Sequence, residues 1–319
     1  GSAPGSPGTG ISRRQVWGLF WLVLAALFIW LVFADWPDWV KNILLSKKAF
    51  LSACLNGLTL AGLYFLVASG FTLVFGLMRN VNLAHGSLYL LGAYIGYEIA
   101  DRTGYWLLGV LGAFLILSVV GLLMQVVVFR RLEGDDLRQT LVTIGISIIA
   151  ADLMLAVWTG GTYQILIPDW LAGAIKLPIV TAVRSNGSIV LLSYPFFRLV
   201  VLALAIVIGI GLWLMLNKTR VGMMIRAGVD DREMLSASGT NVHLIFAVVF
   251  AIGAGLASLV VVIVGGMGSI TGAAIGALII GLAEQIGLVY FPTYGVVLTF
   301  VIMVVTLAIR PQGIMGKSQ

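Results

Sequence analysis

From Trp106 to Val128 the chain runs 23 residues without one Asp, Glu, Lys or Arg, and stretches nearly as apolar recur along its length. A run of about 17 to 25 apolar residues crosses a hydrocarbon layer about 30 Å thick as a helix, which satisfies its own backbone hydrogen bonds in lipid. Such stretches cover residues 16–34, 50–78, 83–100, 106–128, 140–158, 194–216, 243–264, 270–291 and 295–309. Composition points the same way. A soluble domain of 319 residues carries about 80 charges, whereas this chain has 19 basic and 13 acidic residues and is 60% hydrophobic, with 39 glycines besides. It lacks the polar material for a water-facing skin. The expected fold is all-α and polytopic, roughly eight transmembrane helices with broken or re-entrant segments.

Residues 1–12, beginning GSAPGSPGTG, have no apolar period and are read as a disordered or appended tail, leaving 13–319 as a single membrane domain. The segment Val16–Ala34 follows Arg13 and Arg14, as a secretory signal would. It exceeds a usual signal core, no small-x-small cleavage site follows, and Trp36 and Trp39 sit as interfacial anchors, so it is read as a first span. Cytoplasmic loops retain the excess of lysine and arginine. An inside amino terminus puts the basic residues at 79, 130–138, 218–232 and 310–317 in the cytoplasm and leaves fewer outside, among them Arg102, Lys176 and Arg198. Both termini are then cytoplasmic. The basic loop 217–242 and the basic end require an even number of crossings between them, yet three apolar stretches follow the loop. Either a half-helix enters and returns at the break Gly265, Gly266, Gly268, or sequence is absent there.

Several chemistries are excluded. The single Cys54 forms no internal disulfide framework. His85 and His243 lie far apart with too few carboxylates for a metal site. The net charge of +6 is scattered singly and forms no nucleic-acid patch. No catalytic constellation is present, and the run GGMGSITG lacks the lysine and hydroxyl ending of a phosphate loop.

Three polar features stand out against the apolar background. Residues 217–242 mix Arg226, Asp230, Asp231, Arg232 and Glu233 with methionines and leucine. They are read as an amphipathic helix ending at Gly239 and docking into a partner at the cytoplasmic surface, with a solvated loop as the alternative. Asn80, Asn82 and His85 interrupt the apolar runs, where freed backbone and amide groups would line a polar cavity. His85 taken alone is read as a hydrogen-bonded packing residue. Asp152 and Glu284 are the carboxylates deepest in the spans; each faces either a watery pathway or an interhelical hydrogen bond. The longest external connection, 159–193, is long enough to meet an external partner.

The runs LNGLTLAGLYFLVASGFTLVFGLMRNVNLAHGSLYLLGAY (Leu55–Tyr94), VGMMIRAGVDDREMLSASGTNV (Val221–Val242), GGMGSITGAAIGALIIGLAE (Gly265–Glu284) and RPQGIMG (Arg310–Gly316) occur in this order. Together they resemble a permease subunit of branched-chain amino acid ABC importers, over about 53–316. The resemblance implies a chain that makes no chemical bonds and works with a second homologous permease subunit, two cytoplasmic ATPase subunits and an external or periplasmic solute-binding protein. It implies the cytoplasmic (inner) membrane of a bacterium or archaeon, and no cofactor in this chain, ATP and Mg being bound by the ATPases. The loop 217–242 resembles the coupling segment, so that Arg226, Asp230, Asp231, Arg232, Glu233 and Gly239 face the ATPase. NLAHG (Asn82–Gly86) looks like a signature near the translocation path. Urea, short amides or aromatic acids suit an apolar path as well as branched amino acids do. A stand-alone channel or secondary transporter, with Asp152 and Glu284 carrying protons, is the reading from another class. Related permeases carry a further stretch, roughly thirty residues and so long enough for one more span, after the run seen here as GAGLASL. Its absence near 259–260 matches the odd crossing count.

Overall fold

A computed structural model describes residues 46–78, 82–159, 168–183, 187–257, 270–292 and 295–309, with isolated positions elsewhere. The tail 1–12, nearly all of the span expected at 16–34, Asn80, and Gly265, Gly266 and Gly268 lie outside the described residues. The described helices are α1 (Lys47–Met78), α2 (His85–Thr103), α3 (Trp106–Val127) and α4 (Asp136–Trp158), then α5 (Phe196–Lys218), α6 (Arg220–Asp230), α7 (Arg232–Ala237), α8 (Val242–Ala257), α9 (Ile270–Tyr290) and α10 (Gly295–Ile309). A short 3-10 turn, Phe129–Leu132, joins α3 to α4, and β1 (Ala174–Val183) and β2 (Ile189–Pro195) form a two-stranded hairpin before α5. Among the described residues, 46–52 and those within 176–194 group as one compact unit, and those within 53–175 and 195–309 as a second.

Four of the described helices, α1, α3, α4 and α5, are long and apolar enough to cross a membrane, and α8 and α9 are shorter apolar helices. Outward-facing Leu115 on α3, Leu153 on α4 and Val207 on α5 are all at least 60% exposed. In water such a belt would be a severe liability; in a bilayer it is the lipid-facing surface of a multi-pass protein.

Lipid tails are as apolar as leucine, so helices in a bilayer are held by close van der Waals fit rather than by a hydrophobic drive. Glycines provide that fit in the larger unit. A Cβ on Gly253 of α8 would stand 2.8 Å from the Gly70 carbonyl oxygen of α1. One on Gly57 of α1 would stand 2.8 Å from the Leu282 Cα of α9. α8 is the hub. Its Ile245, Phe246 and Val249 pack with Leu73 of α1, Leu212 and Leu216 of α5, Ile225 of α6 and Leu235 of α7. Its Phe250 and Ala254 pack on the other side with Val74, Ala84, Leu88, Leu117, Met124 and Phe129.

Side-chain contacts define the two ends of this unit. At one end, Trp106 meets Phe197 edge-on at 5.3 Å, and Arg198 donates to Asn56 Oδ1. The starts of α3 and α5 and the first third of α1 therefore lie together. At the other end, Phe129 packs on Phe250 at 4.8 Å and the Glu133 carboxylate lies 3.8 Å from His243 Nδ1. The C-terminal end of α5 carries α6 and α7 there.

One expectation is corrected, and one connection holds an element that was not expected. The segment 217–242 is not one helix but two: Asp231 adopts an extended backbone (φ −149°, ψ 104°) and its carboxylate accepts from Met234 N at 2.9 Å, capping α7. The connection 159–193, for which no element was expected, holds a β-hairpin in its described part. Along β2, buried Leu192 and Tyr194 alternate with exposed Leu191, Ser193 and Pro195, the two-residue period of a strand with one covered face. Eight residues of the hairpin Ala174–Pro195 are β-branched or aromatic, in a stretch read only as a long connection, so the strand signal was present in the sequence.

Candidate functional site

The sequence-derived residues occupy separate neighbourhoods. The first is the pair α6–α7. Thr219 starts α6, its hydroxyl oxygen accepting from Gly222 N at 3.1 Å. The Arg226 guanidinium reaches back to Asn217 Oδ1 at 3.0 Å, tying α6 to the end of α5. Ile225 and Leu235 are buried in the hub cluster while Met223 is 55% and Met234 71% exposed. Arg226, Asp231 and Glu233 are exposed too. Gly239 follows α7 at φ 80°, a left-handed turn that costs glycine nothing and reverses the chain into α8. The result is a short charged platform with two exposed methionines, anchored from beneath by apolar side chains. Methionine's flexible thioether suits an adaptable protein contact.

The second neighbourhood is the turn that starts α2. Asn82 folds it: its Oδ1 accepts from Ala84 N at 3.0 Å and its backbone oxygen from His85 N at 3.2 Å. Leu83 N donates to Thr143 Oγ1 at 3.3 Å, and Ser87 and Ser147 hydroxyls meet at 2.6 Å, docking the turn on α4. His85 packs edge-on against Phe71 at 5.5 Å. Both Asn82 and His85 are 3% exposed, and Asn82 Nδ2 and His85 Nε2 have no hydrogen-bond partner among the described residues. Buried unpartnered polar atoms are uncommon and mark this turn as a polar spot in an apolar bundle.

The third is Glu284. Its carboxylate accepts from the Tyr64 hydroxyl at 2.7 Å, so α9 and α1 are joined by a charge-assisted hydrogen bond near their glycine crossing. Tyr64 was missed in the sequence, since nothing local links positions 220 residues apart. Asp152, by contrast, sits on the exposed side of α4. The structure does not bring Asn82 and His85, Glu284, and Asp152 into one site. Among the described residues no group of three or more His, Cys, Asp or Glu is placed to hold a metal ion.

A fourth feature emerges only from the fold. A cavity of about 370 Å³ opens between α1, α2, α3 and α5, at the end away from α6 and α7. Its walls are apolar apart from Thr59 and Arg198. Arg198 had been read only as one of the external cations.

Residues 53–260 match the family described as the permease component of the branched-chain amino acid transport system. Curated relatives agree. The high-affinity branched-chain amino acid transport system permease protein LivH of Salmonella typhimurium is 28% identical over 85% of this chain and 96% of its own length. LivH of Escherichia coli K12 is 29% identical over the same shares. BraD of Pseudomonas aeruginosa, a permease protein of the same description, is 28% identical over 85% of this chain and 97% of its own. No solved structure matches the chain.

Proposed function

The chain belongs to the family of branched-chain amino acid transport permeases, and from that premise we propose that it forms half of the membrane pathway of a binding-protein-dependent ABC importer. Branched-chain or closely related small amino acids are the cargo. A second homologous permease completes the pathway, two cytoplasmic ATPase subunits bind ATP and Mg and drive it, and an external binding protein delivers the solute. The complex resides in the cytoplasmic membrane of a bacterium or archaeon, with both termini inside.

The observation that carries this reading is the construction of α6 and α7. Their exposed face offers Met223, Met234 and Glu233, while Ile225 and Leu235 are locked into the cluster built on α8. A push on the exposed face is therefore delivered to α8, and through Phe250 to the packing with α2 and α3. Closely packed interfaces switch between discrete arrangements rather than deform smoothly, so such a push shifts an equilibrium between inward-open and outward-open states. Arg226, Asp230, Asp231, Arg232, Glu233 and Gly239 form or flank this coupling element. Asn80, Asn82, His85, Asp152 and Glu284 belong to or border the path, and a break at Gly265, Gly266 and Gly268 admits a re-entrant segment.

The test replaces Arg232 and Glu233 together by alanine in the full complex. Loss of ATPase co-purification and of ATP-driven leucine uptake, with the permease still recovered from the membrane at its normal level, is expected. Wild-type co-purification and uptake would remove the coupling assignment.

A further inference from the structure

The cavity between α1, α2, α3 and α5 has a composition that selects a ligand. Apolar side chains from all four helices, Leu63, Ala93, Val110 and Val201 among them, form the walls. The volume of about 370 Å³ falls within the range of small-molecule sites. Trp106 and Phe197, stacked edge to face, stand at the end where α3 and α5 begin. The one charged lining residue is Arg198, exposed at that same end. Its guanidinium donates to Asn56 Oδ1, and no carboxylate lies within ion-pair distance of it among the described residues.

An arginine presents five donors in a planar fork that matches a carboxylate, and one bond to an amide leaves most of that fork unused. At the edge of a low-dielectric cavity a charge-assisted pair is stronger than in open water. Apolar walls below and one guanidinium at the rim are complementary to a molecule with a compact aliphatic body and a terminal carboxylate. A neutral solute such as urea could accept a hydrogen bond from the guanidinium but forms no ion pair with it and offers no aliphatic body to the walls. An aliphatic amine would be repelled by it.

We propose that this cavity is an entry site of the permease for an aliphatic amino acid, with the carboxylate on Arg198 and the branched side chain between α2 and α5. It deepens the importer reading and rests on it, because only with α6 and α7 in the cytoplasm does the cavity open toward the outside. Arg198, held by Asn56 Oδ1, recognises the carboxylate, and the space beside Ala93 limits the size of the side chain. A phospholipid, with phosphate on Arg198 and an acyl chain in the cavity, is the competing occupant of the same chemistry.

The experiment measures leucine binding to the purified full chain in lipid nanodiscs by equilibrium dialysis, with three competitors. 4-Methylpentanoate has the carboxylate and branched body without the amine, isoamylamine has the body without the carboxylate, and glycine has the carboxylate without the body. Saturable leucine binding displaced by 4-methylpentanoate, but not by isoamylamine or glycine, is expected. Arg198→Gln should weaken it by about tenfold or more, the loss of a charged hydrogen-bond pair. Ala93→Leu should weaken leucine binding more than alanine binding by filling the cavity, with Arg198 intact. Size-exclusion profiles of both variants report whether the fold is kept.

Absence of leucine binding to the wild-type chain, equal displacement by isoamylamine, or wild-type affinity in folded Arg198→Gln each overturns the proposal. So does native mass spectrometry that finds a phospholipid lost specifically in Arg198→Gln without leucine binding. ATP-driven uptake by the reconstituted complex separates the two readings. Uptake that survives Arg198→Gln removes the entry site alone, whereas a wild-type complex without ATP-driven uptake removes the importer reading beneath it.

Discussion

Two glycines show how the same substitution acts through different physics. Gly239 adopts φ 80° with nothing within 4 Å of where a Cβ would stand. Gly239→Ala therefore costs only backbone strain, about 1–2 kcal/mol, and should lower the unfolding midpoint in detergent modestly while loosening the link from α7 to α8. Gly253 lies inside α8, and an added Cβ would press on the Gly70 carbonyl oxygen and Val74. Gly253→Ala forces α1 and α8 apart, an overpacking cost of about 1–3 kcal/mol, and should depress the midpoint more than Gly239→Ala does. Reversal of that order in a thermal-shift comparison would contradict the crossing described here. Asn82 and His85 were legible as a break because two polar residues stand in an apolar run. The partners that give them meaning, Thr143 on α4 and Phe71 on α1, were not, since only the fold brings them within reach. The same holds for Tyr64 with Glu284 and for Arg198 at its cavity.

At the scale of elements, the pair α6–α7 depends on a cap in its middle. The Asp231 side chain, rather than its charge, ends one helix and starts the next by accepting from Met234 N. Asp231→Asn keeps an acceptor of the same reach and should retain uptake near the wild-type level, whereas Asp231→Ala removes it at a cost of about 0.5–2 kcal/mol to the start of α7 and should reduce ATP-driven uptake. Equal loss in both variants would mean that the negative charge itself meets the ATPase. The described helices of the bundle were readable from hydropathy to within a few residues: 106–128 became Trp106–Val127 and 295–309 became Gly295–Ile309, while 140–158 became Asp136–Trp158 and 83–100 became His85–Thr103. Length against bilayer thickness is a strong constraint. The hairpin Ala174–Pro195 was legible in its β-branched and aromatic residues but lay in a connection read for its length alone, whereas the split of 217–242 was not legible, because short polar segments carry weaker signals.

For the molecule as a whole, the account requires two functionally opposite ends. In the proposed importer the end with α6 and α7 meets the motor, and the end where α3 and α5 begin meets the solute. Everything else about coupling and entry depends on these two ends facing opposite sides of the bilayer. The odd number of apolar stretches after the basic loop leaves the path between α8 and α9 as the part of the topology that hydropathy alone did not close. The match to the permease family ends at residue 260, in that same region. The decisive measurement is cysteine accessibility in cells, using a Cys54→Ala background that carries either Tyr105→Cys or Ser236→Cys, both at exposed positions. With a membrane-impermeant maleimide, the Tyr105 position should label in intact cells and the Ser236 position only after the membrane is opened. Labelling of both from the same side would contradict the account.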